Sequence, residues 1–288
     1  MNMQIINKNI KFLIVGLGLI GGSYAKALRK KGFYVSAIND TRSAIDYAIS
    51  ENIIDEGYDY VEPKAVESAD IIIFSLYPKV FVQWIKNYSH LFKKGTIITD
   101  VTGVKTCIVD EVQALLGDGV EFIAAHPMAG REVYGVENSD DKIFEGANYI
   151  VVPTKKNTPA AIELCKDLGK VLGFGRISEL SPKDHDEMIG FVSQLTHCIA
   201  VSLMTCSDNE HLVSYTGDSF RDLTRIARIN ENMWSELFLL NKDALLRQID
   251  TFMAECSSLR EMIADGDVES LKEKMRLSTK RRALFDIK

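Results

Sequence analysis

The chain has 288 residues, 46% of them hydrophobic and 26% charged, and a formal net charge of −6. That length holds one large or two ordinary domains, and the composition is that of a soluble globular protein. The mildly acidic balance argues against nucleic acid or an anionic membrane as the main partner, but a few local cations would still suffice for a small anionic substrate. No apolar run approaches the length of a membrane span, and residues 1–10 lack the blocks of a signal peptide. Five scattered cysteines, Cys107, Cys165, Cys198, Cys206 and Cys256, form no C-x-x-C pair, which fits free thiols in a reducing cytoplasm.

In chain order, the apolar stretch Ile10–Val15 reads as a buried strand, and Ser23–Lys30 reads as a helix. Between them stands Gly16-Leu17-Gly18-Leu19-Ile20-Gly21, the G-x-G-x-x-G spacing of a dinucleotide-binding turn. Gly16 permits the tight turn, Gly18 lets backbone approach a pyrophosphate, and Gly21 lets helix pack close to strand. The N–H groups at Leu19, Ile20 and Gly21 then open the helix toward the phosphates. Phe33–Ile38 reads as a second strand and Thr41–Ser50 as a helix. Ile71–Phe74 and Thr96–Thr99 are short continuous apolar runs of the kind buried on both faces of a parallel sheet. Pro78 opens a helix running to about Leu91, and a further helix is expected near Lys105–Leu116. Glu121–Ala125 and Tyr149–Val152 read as strands. Such repeated β-α units predict a Rossmann-type doubly wound parallel sheet. Beyond Ser181-Pro182 the pattern turns helical: Met188, Ile189, Val192, Leu195, Ile199 and Leu203 recur at helical spacing, and Leu237–Ile263 behaves alike. The expected division is a dinucleotide-binding domain over residues 1–180 and an all-helical domain over 181–288, whose apolar faces suit a homodimer as well as internal packing.

Several segments carry chemistry. An acid that bonds the ribose 2′-OH is expected about 20 residues after the glycine turn. Here Asn39 takes that place, followed by Asp40, Thr41 and Arg42. Asn39 bonds a ribose hydroxyl without repelling a 2′-phosphate, Arg42 attracts that phosphate and Asp40 opposes it. NAD is favoured and NADP stays open. The alternative for Asn39-Asp40-Thr41 is a helix cap with no ligand. His126, in Ala125-His126-Pro127-Met128-Ala129-Gly130-Arg131-Glu132, is delivered at a strand's carboxyl end, where such sheets bind ligands. An imidazole there suits a general base for hydride transfer from an alcohol. Asp100–Lys105 offers hydroxyl, amide and ammonium groups to the same crevice, although a lysine at a helix start is more often solvated. Ser193 and His197 lie one helical turn apart, and His197 interrupts an apolar face, so it has a buried partner or a ligand. Arg221 and Arg225 are candidates for a two-pronged grip on a carboxylate, or else lie on a solvated face. No metal-ligand pattern is read.

Taken together, GLGLIGGS from Gly16, DVTGVK from Asp100, HPMAG from His126, SQLTH from Ser193 and FRDLTRIA from Phe220, with Trp234 after it, resemble the prephenate dehydrogenase family, in family order over nearly the whole chain. The resemblance implies a helical second domain that dimerises. It also implies oxidative decarboxylation of prephenate, or of its amino counterpart arogenate, in tyrosine biosynthesis. By that resemblance His126 is the general base on the ring hydroxyl, and Arg225 binds a substrate carboxylate. His197 and Ser193 line the substrate pocket, and Glu132 sits at its mouth. Many members have serine at the position of Gly103, near the substrate hydroxyl and nicotinamide; here Thr102 is the nearest substitute. The chain ends soon after the helical region, so no regulatory or mutase domain is expected after it, and feedback by tyrosine would have to act at the substrate pocket. Two competing readings are a β-hydroxyacid dehydrogenase, for which Lys183 is the only lysine near the place of its catalytic lysine, and a nucleotide-binding redox sensor without chemistry. Lys183 sits at the start of the first long helix of the second domain and His126 has a ready role, which weighs against the first, and the assembled His126, His197 and Arg225 weigh against the second.

Overall fold

The computed structural model describes residues 6–286. The described chain runs β1 (Lys11–Val15), α1 (Leu19–Lys30), β2 (Tyr34–Ile38), α2 (Arg42–Ser50), β3 (Glu56–Tyr58), α3 (Pro63–Ser68), β4 (Ile71–Phe74), α4 (Pro78–Tyr88), β5 (Ile97–Asp100), α5 (Thr106–Leu115), β6 (Glu121–Phe122) and β7 (Ala124–Pro127). Next come β8 (Asn148–Val152), α6 (Pro159–Leu172) and β9 (Arg176–Glu179). A helical region follows, with α7 (Pro182–Ile189), a π-helix (Gly190–Leu195), α8 (Thr196–Thr205), α9 (Leu212–Tyr215), α10 (Asp218–Thr224), α11 (Glu231–Leu240), α12 (Lys242–Asp265) and α13 (Val268–Arg282). The chain forms two compact units that divide between Asn241 and Lys242.

Six strands form a parallel sheet in the order β3-β2-β1-β4-β5-β6. Period-two alternation explains why both faces are dry. On β1, Phe12 and Ile14 join the core that includes Tyr24, Leu28 and Val35, while Leu13 and Val15 join Phe74, Phe81 and Trp84 on the other side. Every residue of β4 is buried, as a central parallel strand requires.

The structure departs from the sequence reading at four places. The strand carrying His126 pairs antiparallel with β8, in a second sheet of order β7-β8-β9. Strands β3 and β9 and helices α3 and α6 are absent from the sequence reading: the strands and α3 are short, whereas α6 is a 14-residue amphipathic helix whose signals, Thr158-Pro159 at its start and Gly173 at its end, stand in the sequence. The helical spacing read over Leu237–Ile263 is divided between two helices, with Asn241 standing between α11 and α12. And the unbroken helical run Pro182–Thr205 is long and apolar enough, by length and composition, to cross a membrane. It nevertheless holds buried His185, Asp186 and Gln194 in hydrogen bonds to protein.

Local signals set the helix starts that matter. Ser181 accepts a hydrogen bond from the Asp184 amide, with Pro182 in the first turn, and Thr158 caps the Ala161 amide before Pro159 in the same way. Gly173, at φ +91°, closes α6 in the left-handed conformation.

The start of α1 lies so close to β1 that a Cβ on Gly21 would stand 1.9 Å from the Gly16 carbonyl oxygen. We therefore expect Gly21→Ala to lower stability by about 1–3 kcal/mol through overpacking. In thermal unfolding of the unliganded protein that is a loss of several degrees. An unchanged melting temperature would show that helix and strand are not locked together there.

Candidate active site

Strand order reverses between β1 and β4, and the crevice at that switch point is where doubly wound sheets bind ligands. Gly16 sits there at φ +97°, and a side chain on it would run into the Ser75 carbonyl oxygen at 2.4 Å. Gly18 differs: no atom lies within 4 Å of where its Cβ would be. Two glycines of the motif are thus needed for packing, while the third leaves open space for a ligand against the backbone. No side chain caps α1, so its first amides, at Leu19, Ile20 and Gly21, remain available to an anion. These features fit a dinucleotide pyrophosphate.

The ribose side is tied up within the protein. The Asn39 Oδ1 accepts a hydrogen bond from the Leu17 amide at 2.8 Å, which holds the glycine turn in shape. Asp40 is exposed and accepts from the Thr41 hydroxyl at 3.0 Å. Arg42, expected as a cation for a 2′-phosphate, is neutralised instead: its Nε lies 2.8 Å from Asp46, and its Nη1 lies 3.8 Å from Asp59.

At the end of β5 lies an ion pair with no solvent exposure. Lys105 Nζ donates to Asp100 Oδ2 at 2.6 Å and to the Ala125 carbonyl at 2.6 Å. Asp100 Oδ1 in turn accepts from the Ala125 amide at 3.1 Å. Lys105 is therefore not the solvated residue its position suggests. Thr102, expected to line the substrate pocket, is buried, and its hydroxyl bonds with Asp100 and Lys105. At Gly103 an added Cβ would meet Leu237 at 3.6 Å and His126 Cε1 at 3.9 Å, ordinary contact distances, so this loop faces both His126 and α11.

His126 does not stand alone. Its Nδ1 lies 2.9 Å from Nε2 of His185, and His185 Nδ1 lies 2.7 Å from Asp186 Oδ1. Asp186 also accepts from the amides of Lys105 and Thr106, at 2.9 and 2.8 Å. Its own carbonyl accepts from Asn241, which also donates to Gln194, and Gln194 reaches the Leu237 carbonyl at 3.1 Å. Burial, reinforced by the positive charges that His185 and Lys105 can carry, holds His126 well below the usual 6.5. Burial also lowers His185. Asp186 is pushed up by burial, but the hydrogen bonds from His185 and Thr106 outweigh this and hold it below the usual carboxylate value. The sequence reading missed His185 and Asp186. Their signal was two ionisable residues one helical turn before Ile189, on a face whose spacing otherwise demands apolar side chains.

The second histidine is held differently. The π-helix widens the backbone, and the Ser193 carbonyl accepts from His197 Nδ1 at 2.8 Å. Ser193 thus contacts His197 through its backbone, not through its hydroxyl. The His197 ring stacks on Trp234 with centroids 3.7 Å apart, and burial lowers its pKa. Trp234 and Leu237 are three residues apart on α11, so His126 and His197 border one face of that helix, about one turn apart. Arg225 pairs with Glu132 in an ion pair at the protein surface, and both charges act on His197. Arg221 is exposed, 3.7 Å from Asp218.

A doubly wound sheet with an open glycine at its switch point, beside a neutral histidine at a strand's carboxyl end, defines a dehydrogenase that uses a nicotinamide dinucleotide. The comparisons are more specific. Residues 24–176 match the prephenate dehydrogenase nucleotide-binding domain, and residues 181–277 match the prephenate dehydrogenase dimerization domain. The chain is 32% identical to the prephenate dehydrogenase of Bacillus subtilis, over 90% of this chain and 71% of that one. It is 30% identical to the cyclohexadienyl dehydrogenase of Zymomonas mobilis, over 93% and 94%. The structure superposes on the prephenate dehydrogenase of A. aeolicus, solved with hydroxyphenyl propionate and NAD+, with a TM-score of 0.86 and 32% identity, covering 96% of this chain and 98% of that one. This chain belongs to the prephenate dehydrogenase family.

The Lys105–Asp100 pair has a measurable consequence. Lys105→Met leaves Asp100 as an uncompensated buried charge, and we expect a loss of about 3–5 kcal/mol in denaturant unfolding. Adding Asp100→Asn removes that stranded charge and recovers part of the loss. A single variant as stable as the parent would show that the pair contributes nothing to the folded state.

Proposed function

We propose that the chain oxidatively decarboxylates prephenate to 4-hydroxyphenylpyruvate in tyrosine biosynthesis, with NAD as cofactor. The observation that carries this reading is His126: it is neutral at working pH, fixed through its Nδ1, and placed at the carboxyl end of β7 beside the dinucleotide crevice. NAD, held at the glycine turn, would supply the hydride acceptor for the carbon that carries the ring hydroxyl. His126 takes the hydroxyl proton, the carbonyl that forms is an electron sink, and loss of carbon dioxide across the ring gives an aromatic phenol. Such a path requires positioning and charge neutralisation rather than a covalent nucleophile. Arg225 receives a substrate carboxylate, Glu132 stands beside it, and His197 and Ser193 line the pocket along α11. Thr102 acts from behind, through Asp100. Gly16, Gly18, Leu19, Ile20 and Gly21 hold the pyrophosphate. Asn39 shapes the turn that does so, with Asp40 toward the ribose and Arg42 neutralised. That neutralisation favours NAD over NADP, and the identity to prephenate dehydrogenases favours prephenate over arogenate.

We assign nucleotide binding to residues 1–180, and substrate binding and dimerisation to 181–288. Exposed apolar side chains in the second region suit a homodimer: Leu223 and Leu239 before residue 241, and Met253, Ile263 and Met275 after it. A cytoplasmic location follows from the free thiols and the biosynthetic role.

His126→Asn should lower kcat by about a hundred- to ten-thousandfold and leave the affinity for NAD near that of the parent. Near-parental turnover of prephenate would sink the assignment. Since a base must be unprotonated and His126 sits below its ordinary value, the acid limb of kcat/KM should fall below pH 6.5. Stability changes in the same direction: protons bind the unfolded histidine first, so this group weakens the fold as pH drops below 6.5 toward the folded value.

Arg225→Lys keeps the charge but loses the planar two-pronged donor. We expect KM for prephenate to rise at least several-fold, with KM for NAD unchanged. Parental values for both would move the carboxylate grip to another cation.

A further inference from the structure

The groups behind His126 leave one arrangement of protons. Asp186 is ionised and accepts only, taking the Lys105 and Thr106 amides as well as the His185 ring. His185 Nδ1, at 2.7 Å, must therefore carry the hydrogen, because two acceptors at that distance would repel. A neutral His185 then has a bare Nε2, and that atom is the one 2.9 Å from His126 Nδ1. Only a donor satisfies it, so His126 carries its hydrogen on Nδ1. Its Nε2 is left with a free lone pair.

We propose that His185 and Asp186 are positioning residues that hold His126 in the Nδ1–H tautomer and thereby aim a basic Nε2 at the substrate hydroxyl. The proposal rests on the reading of His126 as the general base. It assigns a role to two buried residues in the middle of α7 whose ring and carboxylate bond to protein groups behind His126. The chain runs from Asp186 through His185 to His126, and each link is a hydrogen bond of normal length. When Nε2 takes the proton, the resulting imidazolium still donates from Nδ1 to His185, and the Asp186 carboxylate is the anion facing it one ring further back. The opposing charge is Lys105 Nζ, which Asp100 compensates at 2.6 Å. The charged groups acting on the two rings are thus Asp186 and His185 itself from α7, Lys105 from the loop before α5, and Asp100 from β5. The bare Nε2 also explains why a histidine rather than a carboxylate sits at residue 185: a ring presents a donor on one edge and an acceptor on the other, which joins an acceptor-only Asp186 to a donor Nδ1.

Two substitutions separate positioning from packing. In His185→Asn the amide can still donate to Asp186 but cannot reach His126. In His185→Gln the terminal amide takes the place of Nε2 and can accept from His126. We expect kcat for His185→Asn to fall about a hundredfold, within the range of a positioned base. KM for prephenate and affinity for NAD should change little, and His185→Gln should recover a clear part of the loss. Nitrogen NMR of ring-labelled full-length enzyme reads the tautomer directly, without catalysis. In the parent, His126 should show a protonated Nδ1 and a bare Nε2, and His185→Asn should lose that fixed pattern. A parent His126 protonated on Nε2, or a His185→Asn variant with parental kcat, pH profile and tautomer, would overturn the proposal. If His126→Asn stays active while the tautomer pattern holds, it is the base reading that fails and not the hydrogen-bond chain. Should His185→Asn fold poorly, the parent spectrum and His185→Gln still decide.

Discussion

The site depends on the buried pair of Lys105 and Asp100, because together they grip both polar groups of one residue. Asp100 takes the N–H of Ala125 and Lys105 takes its C=O. The next residue is His126. A strand in a two-faced sheet normally satisfies its backbone through neighbouring strands, yet here a β5 carboxylate and a lysine from the following loop fix the peptide just ahead of His126. Burying two charges is expensive unless every remaining donor and acceptor is matched. Here they are matched: Thr102 supplies its amide and hydroxyl to Asp100, and the hydroxyl also meets the ammonium group. Such a closed network has little freedom, which is the property a base must have if its nitrogen is to meet a small substrate within hydrogen-bond reach.

The same lysine connects the sheet to the helical region. Its backbone amide donates to Asp186 on α7, and the Asp186 carbonyl accepts from Asn241 at the end of α11. A second route from α11 reaches the sheet layer through Glu236, which accepts from the Lys79 amide at the start of α4. Helix α11 is thereby held as one wall of the crevice, with Leu237 against Gly103 and Trp234 stacked on His197. The glycine at residue 103 leaves room on this wall. Because Thr102 faces inward, the loop presents no hydroxyl to His126, and the histidine's orientation is left to the groups behind it.

Much of the sheet was legible because its rules are local. A continuous apolar run such as Ile71–Phe74 has one stable use, and three glycines between a strand and a helix have few. The strand direction of β7 was not legible, since its four residues pair with β8 across a long intervening loop and nothing local fixes antiparallel against parallel. Candidate site residues stand out in the sequence where a residue type is chemically conspicuous, as at His126 and Arg225. They do not where a role depends on a distant partner. Lys105 reads as an exposed helix start until Asp100 is placed beneath it, and Arg42 reads as a free cation until Asp46 and Asp59 surround it. His185 and Asp186 were hidden in a segment read only for its apolar spacing.

The pairing of Arg225 with Glu132 raises a question of charge. A guanidinium already bound to a carboxylate looks unsuited to seize another, but the pair is exposed, and exposed pairs are worth about 0–1 kcal/mol. Exchanging Glu132 for a substrate carboxylate therefore costs little. Arginine also has five donors, so a second carboxylate can join on another edge without displacing the first. In the second arrangement Glu132 holds the guanidinium plane in place before substrate arrives and reduces the ordering that binding must supply. His197 feels both partners, raised by Glu132 and lowered by Arg225, although burial remains the larger influence. Its ring, donating to the Ser193 carbonyl from Nδ1 and stacked on Trp234, then leaves Nε2 as the acceptor edge. The two histidines are thus held by different means, His126 through a second imidazole and His197 through the Ser193 carbonyl, which also accepts from the amide and hydroxyl of Thr196.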